Sequence, residues 1–177
     1  MVTLMAVATE ESRTLPKPEG QWIAVIRVRG RVNTKEDVEW TLKLLRLNKP
    51  NHCVVIRYTP SIRGMLIKAQ HKIAWGEIDF ETFYQLLKER GRIIGDKSLT
   101  DDIVKEKTNG RYQDIKALAE AIWRGEITFR DLEWFKPVFR LHPPRKGYKR
   151  STRKLYQERG ALGYWGPKIS DLLRRMF

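Results

Sequence analysis

A turn between a predicted strand and a predicted helix brings together residues that suit phosphate binding. In order, it contains Thr59, Pro60, Ser61, Arg63, Gly64, Lys68 and Lys72. Ser61 is the predicted N-cap, and a helix N-terminus directs unpaired N–H groups and the positive end of its dipole toward an anion. Gly64, in the first turn, lets another backbone come close. The segment therefore predicts a phosphate contact, and a solvated basic edge is the alternative.

A second basic stretch lies closer to the C-terminus. Eight Lys or Arg residues and no Asp or Glu occur from Lys136 to Lys154. Its candidate contact residues are His142, Arg145, Lys146, Tyr148, Lys149, Arg150, Arg153 and Lys154. Proline, glycine and dense like charge favour an arm that only an anionic partner orders, and a tyrosine within it can stack on a base. RNA would satisfy both features, while a charged loop in solvent is the alternative.

The first predicted strand also becomes basic at its end. Apolar side chains alternate from Trp22 to Val28, Arg27 and Arg29 share one face, and Arg31 follows in the turn. These arginines can meet phosphates at that end of the sheet. Paired carboxylates or water would satisfy them equally well.

The overall charge makes a polyanion the first partner to consider. The chain has 177 residues, with 35 Lys and Arg against 21 Asp and Glu, a formal net charge of +14 and a pI near 10.1. Such an excess favours nucleic acid, and a merely basic soluble enzyme is the alternative. The length fits one domain, with or without arms.

The remaining composition argues against several other classes. The single cysteine, Cys53, permits no intramolecular disulfide and fits a reducing compartment. His52, His71 and His142 lack ligand-like spacing, so no metal and no cofactor is expected. No apolar run is long enough to cross a membrane, and the first eight residues lack the basic start of a signal peptide. We expect a soluble cytoplasmic protein.

The usual catalytic motifs are absent from the sequence. It contains no Gly-x-Ser-x-Gly, no phosphate-binding loop ending in Gly-Lys-Ser/Thr, no Gly-x-Gly-x-x-Gly and no His-Glu-x-x-His. The sequence therefore predicts no catalytic residues and no small-molecule substrate. Two alternatives stay open at this point: an RNA-acting enzyme that uses the same basic surface, and an adaptor whose basic arm meets an acidic protein.

Alternating strands and helices must position the candidate residues. Residues 1–20, rich in helix breakers, predict an N-terminal arm. Apolar periodicity then predicts strands at 22–28, 53–58, 73–75 and 137–141. Helices are predicted after caps at Asn33 or Thr34, Ser61, Asp79 and Ser98, and two more begin near Ile115 and Pro167. Asp79 is the predicted cap of the third helix, and 137–141 is the predicted last strand.

Three segments together resemble one known family. Tyr58-Thr59-Pro60-Ser61-Ile62-Arg63-Gly64-Met65-Leu66-Ile67-Lys68, then Trp75-Gly76-Glu77-Ile78, then the basic arm closely resemble the universal large-subunit ribosomal protein numbered thirty in bacteria and seven in eukaryotes. The resemblance covers about 21–177. The compact bacterial form would match only 22 to about 75, and the long basic N-terminal extension of eukaryotic members is missing. The archaeal-type long form is therefore the better match.

This resemblance implies both a fold and a partner. The fold would be α+β, with a ferredoxin-like αβ sandwich core at 21–141, a helical insertion at about 95–135, and a basic RNA-binding arm with a final helix at 142–177. The partner would be large-subunit ribosomal RNA, near 5S RNA and beside neighbouring large-subunit ribosomal proteins, with no catalytic activity. RNA contacts carried over by resemblance fall on the basic arm and on Thr59, Pro60, Ser61, Arg63, Gly64 and Lys68, with Arg27, Arg29 and Arg31 as further candidates. No RNA role is assigned to 95–135.

Overall fold

Alternating and continuous apolar runs in the sequence form the strands and helices of a mixed α+β domain. A computed structural model describes residues 20–177, so the predicted N-terminal arm, apart from Gly20, lies outside the described residues. In chain order the elements are β1 (Trp22–Arg27), α1 (Glu36–Leu44), β2 (His52–Arg57), α2 (Pro60–Ala69), β3 (Ile73–Glu77), α3 (Phe80–Arg90), β4 (Arg92–Ile93), α4 (Asp101–Lys107), α5 (Ile115–Arg124), β5 (Phe135–Lys136), β6 (Phe139–Arg140), β7 (Ser151–Leu155), β8 (Gly160–Tyr164) and α6 (Ile169–Arg174).

Six of these strands form one sheet in the order β6-β2-β1-β3-β8-β7. β1 pairs antiparallel with β2 and with β3, whereas β3 pairs parallel with β8. β4 and β5 form a separate two-stranded ladder. Every residue of β1 is buried, and since alternate side chains of a strand point to opposite faces, both faces of the sheet must be covered at this strand.

Helices provide that cover on both faces. One hydrophobic cluster joins Ile23 and Val25 of β1 to Leu42 of α1 and Leu66 of α2. Trp22, Ala24 and Ile26 of β1 belong to a second cluster, which contains residues of α3, α5 and α6. The predicted α+β fold is therefore confirmed. The antiparallel β2-β1-β3 unit with α1 and α2 packed on one face is consistent with a ferredoxin-like core.

The starts of α2 and α3 test two capping predictions. Thr59, not Ser61, is the N-cap of α2, and its side chain accepts the backbone N–H three residues on at 3.3 Å. The prediction of Ser61 was wrong because Pro60 suits the first helical position, where a missing N–H costs nothing. The predicted cap of α3 is confirmed, since Asp79 accepts the backbone N–H three residues on at 3.0 Å.

The C-terminal segment differs most from the prediction. Residues 137–141 supply only the two-residue β6, and it is not the last strand, because β7 and β8 extend the sheet beyond β3. The basic residues of β7 lie on an edge strand, where charged side chains stay in water. Buried residues of β8 and α6 share the core cluster of α3 and α5. Residues 151–177 are thus part of the domain rather than an extended arm.

Candidate nucleic-acid interface

Strand register divides the predicted contact residues between two ends of the sheet. The start of β1 pairs with the end of β2, as Trp22 lies opposite Arg57, and this end, from which α2 begins, is called the α2 end. At the other end, Asn51 donates its N–H to the Arg27 carbonyl and Leu141 donates to the Asn51 carbonyl. This loop end carries residues 28–34 and the basic loop, which we define as residues 142–150. The two predicted basic segments are therefore not one continuous site.

The α2 end presents an exposed helix start. Thr59, Ser61, Arg63 and Gly64 are all exposed, and α2 has no acidic residue in its first turn. Pro60 has no N–H and the Ile62 N–H donates to Thr59, so the Ser61 N–H and the Arg63 guanidinium are the donors that can serve an anion there. The geometry there fits a phosphate contact.

Lys68 lies further along α2 and faces α1. Its Nζ is 3.4 Å from Asp37 Oδ2, with the two side chains 47% and 57% exposed. Five residues of helix, about 7.5 Å of rise, separate it from Arg63. Exposed ion pairs of this kind are weak, so a phosphate can compete with Asp37 for the ammonium group.

Arg27 does not reach the surface, and its prediction as an RNA contact was wrong. Its side chain is 1% exposed and forms an ion pair with Glu39 at 2.8 Å. It also donates to the carbonyls of Leu47 at 2.7 Å and Arg29 at 3.0 Å. Hydrogen bonding by the guanidinium lowers the pKa of the Glu39 carboxyl. Arg27 is thus satisfied by a paired carboxylate, which was the alternative to an RNA contact. The sequence carried a signal for this pairing, because Glu39 lies one turn before the core residue Leu42 and therefore on the buried face of α1.

Lys72 is likewise structural in this chain. The residue is 6% exposed, and its Nζ donates to the carbonyls of Val32 at 3.0 Å and Asn33 at 3.3 Å. Burial lowers the pKa of this ammonium group. Lys72 therefore holds the loop after β1 in place and is removed from the predicted contact set. Arg29 is half-buried and Arg31 is exposed on that loop.

The basic loop is anchored to the domain by its backbone. His142 donates its N–H to the Met176 carbonyl at 3.0 Å, and Arg145 donates to the Arg175 carbonyl at 2.8 Å. Tyr148 anchors the loop as well, because its hydroxyl donates to Asn51 Oδ1 at 3.3 Å and its ring packs against the core. Burial raises the pKa of Tyr148 to about 12. This half-buried tyrosine is engaged within the protein, and its stacking on a base stays a prediction.

The other predicted contact residues between positions 142 and 154 remain at the surface. Exposed side chains are His142, Arg145, Lys146, Lys149, Arg150, Arg153 and Lys154. Arg150 also lies over the Tyr156 ring, with its Cζ 4.3 Å from the ring centroid. The loop end thus offers a preformed row of positive charge, which suits phosphates because little ordering would be needed on binding.

Other kinds of site find no support in the described part of the chain. No group of three or more His, Cys, Asp or Glu side chains among residues 20–177 could hold a metal ion. Burial raises the pKa of the Cys53 thiol, which disfavours the reactive thiolate. Between residues 20 and 177, no helix has the length and apolar content to cross a membrane.

Comparisons with known proteins agree on one family. A family model described as Ribosomal protein L30p/L7e matches residues 23–73. The chain is 50% identical over 153 residues to the large ribosomal subunit protein uL30 of Methanoculleus marisnigri, covering 86% of this chain and 98% of that protein. It is 47% identical over 184 residues to the uL30 protein of Hyperthermus butylicus, covering 97% of this chain and 99% of that protein.

These matches decide between the open alternatives for the chain. They extend over nearly the full length of archaeal proteins, so the predicted resemblance to the archaeal-type long form is confirmed. The family is one of structural ribosomal proteins, and the alternative of an RNA-acting enzyme is not supported. With this identity over most of its length, the chain belongs to the uL30 (L30p/L7e) family of large ribosomal subunit proteins.

Proposed function

We propose that this chain is a structural constituent of the large ribosomal subunit and stabilises folded ribosomal RNA by two contacts, one at the α2 end and one at the loop end. One observation carries this proposal. The segment from Lys136 to Lys154 contains eight Lys or Arg residues and no Asp or Glu, and most of these cations are exposed. Its place would be in the cytoplasm, within ribosomes and beside other large-subunit proteins.

Binding at these surfaces would depend mainly on phosphates and RNA shape. Exposed Lys and Arg side chains contact the backbone without reading the bases, and double-stranded RNA is recognised largely by its shape. Release of counterions then makes the affinity strongly dependent on salt. Anchoring of the basic loop by Tyr148 and by backbone bonds to Arg175 and Met176, which follow α6, reduces the entropy lost on binding.

Sedimentation of native lysate in a sucrose gradient tests the proposed function. We expect the chain to migrate with the large subunit at low salt and to be released at high salt. If it sediments free at the top of the gradient at low salt, the proposal is wrong. Crosslinking within intact subunits, followed by identification of the attached RNA, tests the further proposal that the chain lies near 5S RNA.

Replacement of Arg63 by alanine tests the contact at the α2 end. We expect binding to large-subunit RNA to weaken by about 1 kcal/mol, and the slope of log affinity against log salt to fall by about 1. Thermal stability should stay unchanged because Arg63 is exposed. Arg111→Ala is the control, since Arg111 is also exposed but lies in the segment with no assigned RNA role. Equal affinity of the Arg63 variant and wild type at moderate salt would exclude the contact.

Gly64 offers a second test, in which stability and binding should change in opposite directions. A Cβ at this position would have nothing within 4 Å, so Gly64→Ala should stabilise the free protein by about 0.5–1 kcal/mol through its better helix propensity. The same methyl group should weaken RNA binding by preventing close approach of the RNA backbone. Chemical denaturation and RNA titration measure the two effects. Unchanged RNA affinity would show that no backbone approaches Gly64.

A further inference from the structure

A concave pocket that shares only His142 with the predicted contact set is lined by three arginines and a histidine. It has a volume of about 380 Å³ and is lined by Arg90, Arg92, Asp96, Arg140, Leu141 and His142. We call it the Arg90 pocket. Arg90 ends α3, Arg92 lies in β4 and Arg140 lies in β6. The pocket is therefore built from two segments that lie far apart in sequence, 90–96 and 140–142, and neither segment alone indicates it.

Positive charge around this pocket exceeds the negative charge that the chain supplies. Asp96 is its one carboxylate, and it is shared by Lys136 Nζ at 2.6 Å and Arg140 Nη1 at 3.4 Å. Arg92 donates instead to the Asp96 carbonyl at 3.2 Å. One carboxylate thus faces four Lys or Arg groups, even before His142 is counted. Like charges held in a concavity repel each other and raise the local affinity for an anion.

Arg90 gives a second, independent indication of a missing partner. Its Nε is enclosed and has no hydrogen-bond partner among residues 20–177. Arg90 lies in the last turn of α3, where the helix dipole favours a positive charge. The dipole explains the charge at this position, but not why the enclosed Nε–H group has no acceptor. Such donors normally have a partner, so the guanidinium of Arg90 has unused hydrogen-bonding capacity at the wall of the pocket.

The Arg90 pocket adjoins the basic loop at the loop end. Arg140 pairs with His52 at the start of β2, and His142, which lines the pocket, is the first residue of the basic loop. Leu141, between them, donates its N–H to the Asn51 carbonyl at 3.0 Å. An RNA strand lying on the basic loop would therefore pass the mouth of the pocket. This continuity favours RNA over a separate acidic protein as the source of the anion.

We propose that the Arg90 pocket binds a backbone phosphate of the ribosomal RNA that also lies on the basic loop. The guanidinium groups of Arg90 and Arg140 would donate to the phosphate oxygens, while Asp96 keeps Arg140 and Lys136 in place. The inference rests on the proposed function, and it adds a contact site formed by α3, β4 and β6.

Arginine footprinting in purified large subunits tests this proposal. Phenylglyoxal modification followed by mass spectrometry compares each arginine in the free chain and in the subunit. Arg140 is 62% exposed in its side chain, so it should react in the free chain, lose reactivity in the subunit, and regain it after RNase digestion. Arg145 should behave in the same way if the basic loop binds RNA.

The outcomes separate the two proposals. A subunit in which Arg145 is protected while Arg140 reacts freely would overturn the pocket and leave the proposed function intact. Protection of Arg140 that persists after RNase digestion would mean that a protein covers the pocket, and would also overturn it. If neither arginine is protected, the contact at the loop end fails as well.

A matched pair of variants provides the second measurement. Arg140→Gln should reduce the slope of log affinity against log salt by about 1 on large-subunit RNA, with unchanged thermal stability because the side chain is exposed. Lys97→Gln removes an exposed cation from the turn beside Asp96 that does not line the pocket, and it should leave the slope unchanged. Equal slopes for the two variants would contradict the proposal.

Discussion

Replacement of Glu39 by alanine is expected to lower the free energy of unfolding by about 3–5 kcal/mol. The carboxylate accepts hydrogen bonds from Arg27 Nη1 at 3.2 Å and Nη2 at 2.8 Å, and the two side chains are 10% and 1% exposed. Without it, the guanidinium stays buried beside the Leu47 and Asn48 carbonyls and lacks a counter-charge. An uncompensated buried charge costs more than the intact pair contributes.

Urea unfolding, followed by tryptophan fluorescence, measures this loss. Asp37→Ala is the matched control, because Asp37 belongs to the same helix but its pair with Lys68 is exposed. The control should change stability by about 1 kcal/mol or less. The double variant Arg27→Met with Glu39→Leu should recover most of the loss, since it removes both buried charges together. A similar small loss in Glu39→Ala and Asp37→Ala would contradict the structural role of the buried pair.

Stability in acid gives a further check on the same pair. Hydrogen bonding by Arg27 lowers the pKa of Glu39 in the folded protein below its ordinary value of 4.5. The contribution of the pair is therefore complete above the unfolded pKa and is lost as the pH falls through the folded pKa. The difference in stability between wild type and Glu39→Ala should be constant near neutral pH and should narrow below about pH 4.5.

The sequence predicted correctly those strands and helices whose local residue pattern favours the same structure as their packing in the folded domain. In β1 a run of apolar residues matches a central strand covered on both faces, and α3 has both an aspartate cap and an apolar stripe. β7 and β8 have no such agreement. β8 reads Gly-Ala-Leu-Gly-Tyr and β7 reads Ser-Thr-Arg-Lys-Leu, so glycine content and positive charge argue locally against strands. Pairing of β8 with β3, and of β7 with β8, overrides that preference.

The same division applies to the candidate site. Composition predicted where positive charge accumulates, and the exposed cations of the basic loop agree with it. It could not predict which cations the fold uses internally, because the partners of Arg27 and Lys72 are supplied by α1 and by the loops before and after it. Nor could it predict the Arg90 pocket, whose residues come from two segments far apart in sequence, 90–96 and 140–142. A basic residue can be identified from sequence as an RNA contact only when no residue distant in the chain forms an ion pair or hydrogen bonds with it in the folded protein.

Packing between α1 and the sheet carries the second large expected effect. Leu42 is 0% exposed and lies in the cluster with Ile23 and Val25 of β1 and Leu66 of α2. Leu42→Ala would leave a cavity between these elements and should lower the free energy of unfolding by about 2–5 kcal/mol. Chemical denaturation of the purified variant measures the loss. RNA binding by the folded fraction should be unchanged, because Leu42 lies beneath the surface.

Leu44→Ala is the control for this cavity, since it makes the same substitution two residues later in α1. Leu44 is 60% exposed, and its replacement should change stability by about 0.5 kcal/mol or less. Helix propensity cannot explain a difference between the two variants, because each exchanges leucine for alanine in the same helix. Equal losses would show that α1 is not packed on the sheet through Leu42. A much larger loss for Leu42→Ala would show that burial of Leu42 between α1 and β1 stabilises the fold. The same packing of α1 on β1 keeps Glu39 within reach of Arg27.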